Sequence, residues 1–131
     1  MVNITNEIYT KLKTELKDDK VNVFLDYPNA KPEFPCVILT EISHLPHTET
    51  IDSNGTNYYE CSLQVDIFSD KANARTIVNG IRIRVDDILS EQYKMTKESD
   101  EHIVNYMDTE VYRHMMRYRF IISKNKTIYR N

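Results

Sequence analysis

The sequence predicts an α+β domain: a mixed, largely antiparallel sheet with two helices packed on one face. Three observations carry this. Residues 58–68 and 109–123 alternate between apolar and polar side chains, the period of a strand with one buried face. Two other stretches, 4–17 and about 70–91, repeat apolar residues at helical spacing. The strands come mostly in hairpin order, which favours antiparallel pairing.

The elements follow in chain order. Ile4, Ile8, Leu12 and Leu16 recur every fourth position, Tyr9 widens the stripe, and Asn3 is a candidate N-cap. Val21–Tyr27 is a strand. Pro28, Pro32 and Pro35 forbid a helix between it and the next strand, Cys36–Ile42, whose unbroken apolar start suits a central position. Residues 45–57 are polar, with a turn signal at Asn54-Gly55, and predict a long hairpin with a mobile tip that includes His47, Thr50, Asn54 and Gly55. In the strand 58–68, Tyr59, Cys61, Leu63, Val65 and Ile67 share one face.

Ser69-Asp70 is expected to cap the second helix. Ala74, Ile77, Val78, Ile81, Val85, Ile88 and Leu89 form its apolar stripe, and Gly80 beside them suggests close approach to the sheet. Arg75, Arg82, Asp86 and Glu91 are expected to face outward. A short strand at Tyr93–Thr96 follows, then mostly turn over 97–108 with an extended piece at His102–Val104. In the last strand Tyr112, His114, Met116, Tyr118, Phe120 and Ile122 share one face, and Val111, Arg113, Met115, Arg117, Arg119 and Ile121 the other. The tail 124–131 is expected to be partly mobile.

Composition restricts function. The chain has 131 residues, one domain in size, and a net charge of −3, which argues against a nucleic-acid binder. The charge is uneven: residues 108–131 carry six bases and two acids, the rest 11 bases and 18 acids, so opposite ends of two copies could attract. Met1–Glu7 carries neither the basic region nor the apolar block of a signal peptide, which predicts a cytoplasmic protein. Cys36 and Cys61 lie in apolar runs and are expected as buried free thiols.

Catalytic signals are sparse. Two glycines cannot build a phosphate loop, and no Cys-x-x-Cys occurs. His44 and His47 lack an obvious third ligand, so no metal and no cofactor are expected. His114, on an apolar face, is expected as a hydrogen-bonded core histidine. The paired acids Asp18-Asp19, Asp86-Asp87 and Asp100-Glu101 diverge as sequence neighbours. The row Arg113, Arg117, Arg119 has two readings. It is either a solvated face paired across strands with Glu60, Gln64 and Asp66, or a subunit contact together with Met115 and Ile121.

Certain stretches resemble the tail terminator (tail completion, or tail-to-head joining) proteins of long-tailed phages and prophages. They are Asp26-Tyr27-Pro28, Phe34-Pro35 before Cys36–Leu39, Val65–Ser69 running into the second helix, Tyr112–Phe120, and Ile128-Tyr129-Arg130. The resemblance implies a non-enzymatic ring, a hexamer, that caps the tail tube, ends its polymerisation and joins the head. Its partners would be further copies of itself, the tail tube protein and a head-completion or neck protein. DNA would pass through the channel without sequence-specific binding, and no membrane would be involved. The place would be the host cytoplasm during assembly, then the tail–neck junction of the virion. Arg113, Met115, Arg117, Arg119, Ile128, Tyr129 and Arg130 would contribute to contacts between subunits. Another neck or head-completion protein, and a small regulatory module binding a host protein, remain the alternatives; a hydrolase or nuclease lacks the constellation it needs.

Overall fold

The computed structural model describes residues 4–26, 28, 32–46, 51–52, 55–56, 58–104, 111–123 and 128–129. Helix α1 (Thr5–Glu15) and a 3-10 turn (Lys17–Asp19) lead into β1 (Asn22–Leu25). After the turn come β2 (Cys36–Pro46), the two-residue strands β3 (Ile51–Asp52) and β4 (Gly55–Thr56), and β5 (Tyr58–Ser69). Helix α2 (Ala74–Asp86) continues into a π-helical turn (Asp87–Gln92), followed by β6 (Thr96–Ile103), β7 (Tyr112–Ser123) and β8 (Ile128–Tyr129).

The main sheet has the order β1-β2-β5-β7-β6, with β8 on β7. β1 and β2 run parallel; the other pairs of this sheet are antiparallel. Register puts Val23, Val37, Val65 or Ile67, and Met116 on one face, and these residues share a core with Ile8 and Leu12 of α1 and Val78, Ile81 and Val85 of α2. Both helices therefore cover the same face, which is the predicted α+β architecture. The i, i+4 stripe of α1 dictates this: Ile4, Ile8, Leu12 and Leu16 are all buried.

Several expectations change. α1 starts after Ile4, which forms no side-chain cap, and Asn3 lies outside the described residues. α2 begins at Ala74, not at residue 70, because the Ser69 hydroxyl accepts the Lys71 amide at 3.3 Å and holds a local turn there. Gly80 makes no close approach: a Cβ built there would have no atom within 4 Å. The short strand expected at 93–96 starts only at Thr96, and the expected turn after it is strand through Ile103. The expected loop is strand up to Pro46, where Leu45 and Pro46 pair with Glu60 and Tyr59. Further on, Ile51 and Asp52 pair with Thr56 and Gly55. In the tail, Ile128 and Tyr129 pair with Ile122 and Ile121. His47, Thr50, Asn54 and Arg130 lie outside the described residues.

Candidate interaction surfaces

The helix-free face of the sheet carries the arginine row, and register decides what each arginine meets. Arg113 lies opposite Phe68, its guanidinium 5.5 Å from the ring centre, and donates to Asp66 Oδ1 from Nε and Nη2 at 3.0 and 2.9 Å. Arg117 lies opposite Gln64 and donates to its Oε1 at 2.8 Å; Gln64 in turn donates to Asp66 Oδ2 at 2.9 Å. Arg119 reaches Glu60 at 3.5 Å. The acids and amide of β5 thus engage the row within the chain's own sheet, the cross-strand pairing that the sequence offers as one of its two readings.

These pairs differ in weight. Asp66 is fully buried, so its charge must be met inside the protein. Arg119 and Glu60 are both more than a third exposed, where an ion pair contributes little. Met115, opposite Asp66, is half-buried, and Ile121 is buried. Cys36 and Cys61 are buried free thiols. Desolvation raises both to about 12, and for Cys61 the charges of Glu41 and Glu60 add to it.

A polar network absent from the sequence reading joins α2 to β7 and β6 on the helix-covered face, at one edge of the sheet. Tyr118 donates its hydroxyl to Asp86 Oδ1 at 2.6 Å, and Ser90 donates to the same oxygen at 2.9 Å. Lys97 Nζ lies 2.8 Å from Asp100 Oδ2 and 3.6 Å from Asp86 Oδ2. Arg82 donates to Asp100 at 2.9 Å, and His114 Nε2 meets the other Asp100 oxygen. Arg82 and Asp86 therefore turn toward the sheet instead of facing outward as expected. His114 is hydrogen-bonded under the helix, the reading given by its place on the apolar face. Desolvation pushes the Asp100 carboxyl up, but hydrogen bonds from Lys97 and His114 and the charges of Lys97 and Arg82 outweigh it, and the group sits at about 2. Desolvation and the Asp86 carboxylate push the Tyr118 hydroxyl far up. Each carboxylate is neutralised by cations of the same network, which suits a clamp between α2, β6 and β7.

The open surfaces lie elsewhere. Beyond Leu39, β2 has no partner on its β1 side among the described residues, and there Ile42 and Leu45 are 46% and 61% exposed. A groove of about 720 Å³ separates α2 from the start of β1, with Phe34, Ile77 and Gly80 among its walls. Another of about 750 Å³ runs between α1 and β1 and is lined by Lys13, Lys17 and Lys20. Neither borders the Asp86–Asp100 network. Among the described residues, no three His, Cys, Asp or Glu side chains come together as a metal site, and no helix is long and apolar enough to cross a membrane. No model of a known family and no curated protein matches the chain.

Proposed function

We propose that this protein is a structural subunit of a phage tail, a terminator whose copies form a ring on the completed tube and present the surface that joins the head. The observation that carries the reading is the stepped edge of the sheet. Four residues of β1 cover only the first part of β2, and the rest of that edge carries exposed Ile42 and Leu45. Apolar residues on an unpaired strand edge fit contact with another chain. The sheet with both helices on one face agrees with the fold that the resemblance implies. Head-to-tail contacts between copies that close on themselves give a ring. In this reading the polar network is architectural, and no reaction is catalysed.

The test is electron microscopy of the purified chain mixed with the tail tube protein encoded beside it. Rings seated on tube ends, and tubes that stop growing, are expected. Tubes of unchanged length with bare ends would overturn the reading, and binding to a head-side protein alone would favour a neck protein.

A further inference from the structure

The groove between α1 and β1 is lined by Val21, Asn22, Val23 and Phe24 in succession. Successive strand residues point to opposite faces, so a groove touching all four runs along the strand's edge and not over one face. The Asn22 and Asp26 amides donate into the β2 side, to Pro35 and Leu39, so alternation aims those of Val23 and Leu25 away from β2. Among the described residues, Lys13, Lys17 and Lys20 line this groove against one acid, Glu33. The opposite edge of the sheet is β6, where Lys97 and Asp100 are tied to α2 while Glu98 and Glu101 are exposed and enter no ion pair among the described residues.

We propose that copies of this chain join edge to edge, the acidic strand β6 of one copy adding to the lysine-lined edge of β1 in the next. The inference rests on the ring reading and names the contact that would build it. The lengths agree. Glu98 sits in the irregularity between Lys97 and Ser99, which leaves Ser99–Ile103 regular against the four residues of β1. Charge selects the register along the stepped edge: the lysine groove attracts Glu98 and Glu101 to the β1 end. Because the two surfaces lie on opposite edges, each copy offers one and uses the other, a heterologous contact. Main-chain hydrogen bonds would supply affinity and the charges would choose the partner.

The test is charge reversal in the full chain, read by analytical ultracentrifugation with melting temperature as the control of folding. Lys13→Glu with Lys17→Glu, and separately Glu98→Lys with Glu101→Lys, should each weaken self-association by about a hundredfold. The chain carrying all four changes should recover it. In the wild type, hydrogen exchange at the Val23 and Leu25 amides should slow on association. Should a reversed pair fail to fold, Lys17→Gln and Glu101→Gln serve with the same readout. Self-association unchanged by reversal, or not recovered by the fourfold chain, would overturn the edge contact while leaving rings built another way. A wild type that stays monomeric even with its tube protein would overturn both.

Discussion

Tyr118, a fully buried residue of β7, donates its hydroxyl to Asp86 of α2 at 2.6 Å and so fixes one end of the helix to the strand beside the β6 edge. The bond joins a group that cannot reach water to a carboxylate that is still partly solvated and neutralised by Lys97. Tyr118→Phe keeps the ring's packing and removes only the hydroxyl. It should lower stability by about 1–2 kcal/mol, a charged hydrogen bond's share, in urea unfolding. A loss below a few tenths would mean that the hydroxyl does not clamp the helix.

Asp100 gives the fold an acid limb. Its folded carboxyl, at about 2, lies below the ordinary value of 3.8, so its contribution is fully present above about pH 4. That contribution falls away as pH drops through the folded value. Asp100→Asn should therefore be less stable than the wild type at neutral pH, with the gap closing between about pH 4 and pH 2. Unfolding midpoints of both chains across that window decide it; parallel curves would show that the network does not hold the carboxylate.

The arginine row should divide by burial. Removing Arg113 leaves the buried Asp66 carboxylate without its closest cation, and Arg113→Ala should cost about 3 kcal/mol. Arg119→Ala breaks a long, exposed pair and should cost less than about 1 kcal/mol. Equal losses in the two variants would contradict the distinction drawn from burial.

Gly80 lies within α2, in contact with solvent and with open space where a side chain would stand. Gly80→Ala should raise stability by about 0.5–1 kcal/mol through helix propensity alone. A lower melting temperature would show that a neighbour does approach the helix there.

Much of this protein is determined by its sequence alone. The repeats of Ile4, Ile8, Leu12 and Leu16 and of Val78, Ile81 and Val85 mark buried helix faces, because a helix returns the same side every three or four residues. The alternation along β5 and β7 likewise separates a buried face from a charged one, and it puts Arg113, Arg117 and Arg119 together. Tertiary structure decided what local periodicity cannot encode. Thr96–Ile103 is polar up to its last residue, Ile103, and has no apolar face to announce a strand; its ladder with β7 makes it one. Asp86 and Asp100 belong to different elements, and the convergence of Asp86 on Lys97 beside Asp100 exists only because α2 packs across β7 beside β6. The partners of the arginines were fixed by the β5–β7 register, since a one-residue slip would have turned every one of them to the other face.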